Sequence, residues 1–432
     1  LCGMGDRGDL DTMLRDAGVV YGHQVLPDEL ADRLPAIDHT WGNFASHDEP
    51  DGGAGGGDGE GGGDTSSVDP AITDDDPYGR WHAMDMSDTS PRNQIRILER
   101  MVSDVDAEPA LHLAHVAVPH YPWALTPAGE LTQTLWMDRD PPDPDHERLA
   151  DHALQLQSLQ LGAVDRVMGE LIDRLQEVGA WEEATVVLVS DHGRGMGPSP
   201  DFGRALTDGN QEELLRLPLF IKQPGQEEGE VIDDPATLVD VVPTLLDVLG
   251  AEPDDGDIGA VFDGRSLFSD EAAGVAPTVS PEVDPLLDLA ERNARRFPHG
   301  DDWTGLAALG DHAALVGSAV DDHEEGAPAE GLTLGFADAD DYDDLPVDGN
   351  RWPQLLVAEL SGSESPPPEL VVAVNGTVAG ALSAYEHNDS SWTMVGVTAP
   401  LFVEGANEVE AYVVEGRDDT EGAATLQPVP ED

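Results

Sequence analysis

The chain has 432 residues, with 88 Asp or Glu against 21 Lys or Arg, a formal net charge of −67 and one cysteine, Cys2. That length allows two domains, and a surface this negative excludes a nucleic-acid partner. The single thiol excludes a disulfide framework and a cysteine zinc cluster, and no apolar run approaches the roughly 20 residues that span a bilayer.

The acidic residues are interspersed with apolar periodicity rather than gathered in a tail. This predicts a folded protein suited to high salt, where the Debye length shrinks to about 3 Å and self-repulsion is screened. The opening at Leu1, without a charged-then-apolar leader, reads as a fragment whose true N-terminus lies elsewhere.

In chain order, Leu10, Met13, Leu14 and Ala17 predict a short amphipathic helix ending at Gly18, and Asp28 to Leu34 a second. Residues 51–64 are a low-complexity Gly/Asp/Glu loop. Ser90 and Pro91 read as N-cap and first turn of a helix striped by Ile95, Leu98, Met101, Val102 and Val105. Ala110 to Val118 predicts a strand, with Pro119-His120-Tyr121-Pro122-Trp123 as its exit. Prolines on both sides of His120 are expected to hold the backbone extended and present the imidazole. A structured loop with a chance histidine is the alternative, and His112 and His115 read as structural.

A long helix is predicted from about His146 to Val178, striped by Leu156, Leu159, Val164, Val167, Leu171 and Leu175 and ended by Gly179. Ala184 to Val189 is apolar or β-branched throughout, which predicts a strand buried on both faces. It stops on Ser190-Asp191-His192-Gly193. Strand, helix and strand read as a right-handed crossover, so the His120 and Asp191 strands would lie parallel in one sheet and open on one edge. A carboxylate beside an imidazole is half of a divalent-metal site; a surface turn or helix cap is the competing reading. Arg194 and Arg204, scarce cations in the following loop, could clamp an anion or sit in surface ion pairs.

Leu217 to Lys222 predicts an edge strand, Thr237 to Leu249 a helix capped by Gly250, and Phe262 to Leu267 a turn back onto the body. Asp270 to Asp301 is acidic and linker-like, with a short helix near Leu286 to Arg296. Short strands follow at 332–334, 354–359, 370–374, 392–397 and 409–414, with Asn375-Gly376 as a hairpin turn. The division is therefore an α/β domain at 1–270, an acidic linker at 271–330 and a small all-β, sandwich-like module at 331–432.

Taken together, Val118-Pro-His-Tyr-Pro-Trp123, the long helix, Val187-Leu-Val-Ser-Asp-His-Gly193, Leu217-Pro-Leu-Phe-Ile-Lys-Gln-Pro-Gly225, Leu238 to Gly250 and Asp263-Gly-Arg-Ser-Leu267 resemble the later part of a sulfatase domain. That domain belongs to the alkaline-phosphatase-like superfamily, and the pattern looks closest to membrane-anchored sulfatase-like hydrolase/transferase proteins. The resemblance covers about Leu1 to Phe268. It implies an α/β fold, a mostly parallel sheet flanked by helices. It also implies a metal-dependent hydrolase of sulfate or phosphate esters: Asp191 and His192 hold a divalent ion (Ca, Mn or Zn), and His120 contacts the sulfate, phosphate or leaving group. The implied substrate is an anionic ester on a glycan or lipid. The implied location is extracytoplasmic, with membrane contact only through a segment absent from this sequence.

Two departures accompany the resemblance. Nothing here matches the family's first metal carboxylates or its nucleophile, and Cys2 is followed by Gly-Met-Gly-Asp-Arg rather than the Cys-x-Pro-x-Arg pattern. No nucleophile is assigned in this chain, which alone is expected to be inactive. A phosphoglycerol- or phosphoethanolamine-type transferase and a non-catalytic cell-surface binding protein are the alternatives.

Overall fold

The computed structural model describes residues 90–132, 147–197, 201–232, 235–251, 262, 264–268, 303–337, 339–345, 352–363, 365, 367, 369–388, 391–415 and 424–431. The helices expected at Leu10–Ala17, Asp28–Leu34 and Leu286–Arg296, and the 51–64 loop, lie outside them. Among the described residues, 110–115 group apart from the unit formed by 90–109 and 116–431.

The helices follow their sequence signals. Helix α1 (Pro91–Ser103) starts where the Ser90 hydroxyl accepts the Asn93 N–H at 3.2 Å, and it buries Ile95, Leu98 and Val102. Helix α2 (Glu147–Glu177) lies against α1, and Arg166 of α2 pairs with Glu99 of α1 at 2.7 Å. Arg174 donates its Nε to the Val105 carbonyl, 2.9 Å away, just beyond the end of α1. Gly179, at φ 74°, supplies the left-handed residue that closes α2.

Residues 110–117 carry no strand, which corrects the expectation for Ala110–Val118. Among the described residues no strand pairs with that backbone, Ala117 bonding the Gln94 side chain and the His120 N–H instead, and Leu111 and Leu113 are 87% and 75% exposed. A strand persists only where its backbone and its side chains both find partners.

The parallel crossover expected from the His120 segment through α2 to the Asp191 strand therefore lacks its first strand, and the pairing that the second one makes runs in the other sense. Strand β1 (Val186–Val189) pairs with β4 (Leu219–Lys222), and the pairing is antiparallel, Val187 opposite Ile221 and Leu188 opposite Phe220. Between them the chain makes only the small ribbon β2 (Gly195–Met196) with β3 (Phe202–Gly203) and the short helix α3 (Gln211–Leu215). With no long helix to carry it across the sheet, the chain returns beside β1 in the opposite sense. β1 is half-buried rather than covered on both faces, and Phe220 is 64% exposed.

A 3₁₀ turn (Leu238–Asp240) leads into α4 (Val241–Val248), and Gly250 at φ 62° closes it. The expected turn onto the body is present: the Asp240 carboxylate accepts the Arg265 N–H at 2.9 Å, and the Ser266 hydroxyl donates to Asp247 at 2.5 Å. A Cβ on Gly264 would lie 2.0 Å from the Val239 carbonyl oxygen, so only glycine fits there.

The remaining strands build one eight-stranded sheet. They are β5 (Glu324–Glu325), β6 (Thr333–Phe336), β7 (Leu355–Ser361), β8 (Leu370–Val374), β9 (Thr377–Asn388), β10 (Ser391–Val397), β11 (Val409–Glu415) and β12 (Thr425–Pro428). Their order is β5-β12-β11-β8-β9-β10-β7-β6, antiparallel except for β5 with β12. Asn375 (φ 52°) and Gly376 (φ 77°) make the β8–β9 hairpin turn. β9 pairs with β8 through Leu382 and with β10 from Ser383 onward, so one strand serves both halves of a curled sheet.

β8 is buried on both faces: Leu370, Val372 and Val374 enter the main core, Val371 and Ala373 a smaller one beside Tyr412 and Leu426. The main core is shared, since Trp123 and the α2 residues Ala153, Leu156 and Leu159 join Leu356, Leu360, Leu382 and Met394. Helix α5 (Thr304–Ala307) adds to this junction, with Gln155 of α2 donating to the Leu306 carbonyl at 2.5 Å. Each fully buried Leu in that junction contributes about 1.5–3 kcal/mol. The segment that presents His120 is thus seated on a continuous apolar body.

Candidate functional site

Two chain exits meet. At the first, the His120 N–H bonds to the Ala117 carbonyl at 2.6 Å, so His120 sits in a tight turn rather than the extended backbone its flanking prolines suggest. Both flanking X–Pro bonds, Val118–Pro119 and Tyr121–Pro122, are cis. The turn is braced from below by α2: Gln160, fully buried, donates to the His120 carbonyl at 2.9 Å and accepts the Ala124 N–H at 3.0 Å. Trp123, 1% exposed, anchors the far end and donates its Nε1 to the Pro119 carbonyl at 3.1 Å.

At the second exit, Lys222 fixes the entry to β1. Its ammonium bonds the carbonyls of Trp181 and Ala184 (3.0 Å to the latter) and lies 4.7 Å from the Trp181 ring centroid. Beyond Val189 the Ser190 hydroxyl donates to the His192 carbonyl at 2.8 Å, and the Asp191 carboxylate accepts the His192 N–H at 3.0 Å. Gly193 donates to the Leu214 carbonyl at 3.1 Å, and a Cβ on it would lie 1.9 Å from the Glu213 carbonyl oxygen. Glycine is required there by close packing.

The imidazoles of His120 and His192 stand edge to face, ring centroids 6.4 Å apart. Each Nδ1 faces a backbone carbonyl, His120 that of Tyr121 at 2.5 Å and His192 that of Gly193 at 2.8 Å. A carbonyl oxygen only accepts, so by this hydrogen-bond assignment each Nδ1 carries the proton and each Nε2 keeps its lone pair. This is the second-sphere arrangement of metal-binding histidines. The Asp191 Oδ1 lies 3.9 Å from His192 Nε2, and the carboxylate is 72% exposed. Two donors on one ion stand about 3–4 Å apart, so this pair fits half of a coordination sphere. Among the described residues, no group of three or more His, Cys, Asp and Glu converges as a complete site.

Arg194 follows directly. Its guanidinium carbon lies 5.4 Å from the Trp123 ring centroid and 5.0 Å from that of Phe202, the latter placed by the β2–β3 ribbon. Burial lowers its pKa below the usual arginine value, and the nearby Arg204 charge acts in the same direction. Arg204 is itself exposed. Sequence reasoning missed Gln160, Trp123 and Phe202 as supports, because nothing local marks them.

A second Ser–His contact carries no nucleophile. Ser318 Oγ lies 2.7 Å from His323 Nε2, but His323 Nδ1 accepts the Ala424 N–H and Ser318 donates to the Leu315 carbonyl at 2.6 Å. The imidazole therefore donates to the hydroxyl instead of receiving its proton.

Residues 74–251 match the sulfatase family. His120, Asp191, His192, Arg194 and Arg204 all lie inside that sulfatase-like region. Curated relatives agree: the chain is 33% identical over 113 residues to the multifunctional alkaline phosphatase superfamily protein PehA of Trinickia caryophylli, covering 26% of this chain and 20% of that protein. It is 26% identical over 193 residues to the low-salt glycan biosynthesis sulfotransferase Agl7 of Haloferax volcanii, covering 44% of each. An ulvan-active sulfatase of Formosa agariphila is 27% identical over 162 residues, 35% of this chain and 30% of that protein. The chain thus spans less than half the length of these relatives. The matches support the sulfatase/alkaline-phosphatase-like superfamily, its α/β fold and a sulfuric ester hydrolase or transferase class at family level. No helix among the described residues is long and apolar enough to cross a membrane.

Proposed function

We propose that this chain carries one side of a metal-assisted active site that splits sulfate or phosphate esters. The observation that supports it is the meeting of His120 with the Asp191–His192 corner, two exits brought together across a 6.4 Å ring separation. Asp191 and His192 would hold the divalent ion; a hard oxygen and an imidazole nitrogen suit Ca, Mn or Zn. Such an ion, when bound, makes a hydroxyl nucleophile more acidic and offsets charge on the ester oxygens.

The chain's own groups do the rest. His120, with Nδ1–H held on the Tyr121 carbonyl, presents an Nε2 that can accept a proton and return it to the leaving oxygen. Arg194 and Arg204 supply positive potential beside it in an otherwise acidic molecule. No residue here is assigned as nucleophile, so the purified 432 residues are expected to turn over no aryl sulfate or aryl phosphate. The substrate is an anionic ester on a glycan or lipid met outside the cytoplasm. The strands of the eight-stranded sheet follow the sulfatase-like region in sequence and share a core with α2. The name of the Haloferax relative favours group transfer as a second reading, with a sulfated glycan as product.

Equilibrium dialysis with Mn²⁺ tests the site. The unchanged chain is expected to hold one more tightly bound ion than the Asp191→Ala, His192→Ala double variant; equal uptake by both removes the basis for a metal-assisted hydrolase.

A further inference from the structure

Three arginines among the described residues are held by carboxylates. Arg92 pairs with Glu130 at 2.9 Å, Arg166 with Glu99 and Glu170, and Arg174 with Glu177 at 2.8 Å. Arg194 has no such carboxylate among the described residues, in a chain with 88 acidic side chains. It is held by aromatic rings instead, over both Trp123 and Phe202. Its Nε is buried and makes no hydrogen bond with the described residues.

A cation–π contact holds a guanidinium without engaging its N–H groups on a carboxylate, and so leaves donors for an oxyanion. An arginine already paired with Glu must break that pair before it can take a substrate anion; one held by rings need not. Arg194 also lies two residues from His192, and Trp123 lies three from His120, so the aromatic contact adjoins both exits.

We propose that Arg194 is the substrate-anchoring residue of this site, binding a tetrahedral oxyanion through its in-plane donors, with Trp123 and Phe202 as positioning residues. This rests on the ester-site reading above and names the group that recognises the anion. Like charge from Arg204 raises the cost of leaving the site empty and so favours an anion shared by the two guanidinia.

The test is calorimetric titration of the full chain with sodium sulfate, then sodium phosphate, with chloride adjusted to constant ionic strength. The unchanged protein is expected to bind both anions. Arg194→Gln is expected to weaken binding by about tenfold or more. Arg194→Lys, which keeps the charge but loses the planar fork, is not expected to restore it. Phe202→Leu, on a half-buried ring, keeps the fold and is expected to weaken binding several-fold, with circular dichroism as the check on folding. Unchanged sulfate affinity in Arg194→Gln, or full rescue by lysine, overturns the assignment. If the unchanged protein binds neither anion yet keeps the Mn²⁺ site that Asp191→Ala removes, the Arg194 inference fails while the hydrolase reading stands.

Discussion

Gln160 and His120, 40 residues apart in sequence, are joined by a hydrogen bond of 2.9 Å from the buried amide of α2 to the carbonyl of the residue that faces the site. The same side chain accepts the Ala124 N–H, so a single amide pins both ends of the turn. Gln160→Leu leaves a buried N–H without an acceptor. It is expected to cost about 2 kcal/mol, measured by urea unfolding, and to shift the His120 imidazole resonances while leaving those of His323 in place. Unmoved His120 resonances would show that the brace does not position the ring.

Gly193 and Gly179 separate packing from backbone strain. A Cβ at Gly193 would collide with the Glu213 carbonyl oxygen, whereas Gly179 has open space but φ 74°. Gly193→Ala is expected to cost about 3 kcal/mol through forced displacement of α3, and Gly179→Ala about 1 kcal/mol. The urea midpoints of the two variants check the order; equal losses would contradict it.

Tyr412 gives the molecule an alkaline limit. Burial raises its pKa most, and its hydrogen bond to Glu410 at 2.9 Å adds to the shift. The folded state therefore keeps the phenol proton where the unfolded chain has lost it. The stability this provides is complete below about pH 10 and declines above it, by up to about 1.4 kcal/mol per pH unit. Comparing unfolding of the unchanged protein and Tyr412→Phe from pH 9 to 11 is expected to show the steeper decline in the former; parallel curves would remove Tyr412 as the cause.

Net charge sets a further expectation. With −67 on the chain, self-repulsion acts across the whole surface at low salt. The urea midpoint is expected to rise between about 0.1 M and 1 M KCl, as the Debye length falls from about 10 to 3 Å. A midpoint independent of KCl would contradict the reading of this composition as one suited to high salt.

Much of the local structure was legible in the sequence. Helix α2, the Ser90 cap of α1, the Asn375-Gly376 turn and the strand ending on Ser190-Asp191-His192-Gly193 all follow from periodicity and from residues with one conformational use. Pairing was not legible. Leu188 reads as a strand residue wherever it lies, but its antiparallel partner Phe220 is decided by how the intervening chain returns. β9 escaped notice because Gly380 and the polar end at Glu386 and His387 break its alternation, while its pairing with two neighbours is a property of the sheet. Asp191, His192 and His120 could be named as candidates from their segments. The aromatic support of Arg194 could not, since Trp123 and Phe202 reach it from distant positions.

The most direct measurement is Mn²⁺ titration followed through the histidine Hε1 resonances of the full chain. His120 and His192 are expected to broaden together at substoichiometric Mn²⁺, ahead of the other histidines, and to lose that sensitivity in Asp191→Ala. Broadening no different from that of the remaining histidines, or unaffected by the loss of Asp191, would contradict a metal site at the Asp191–His192 corner facing His120.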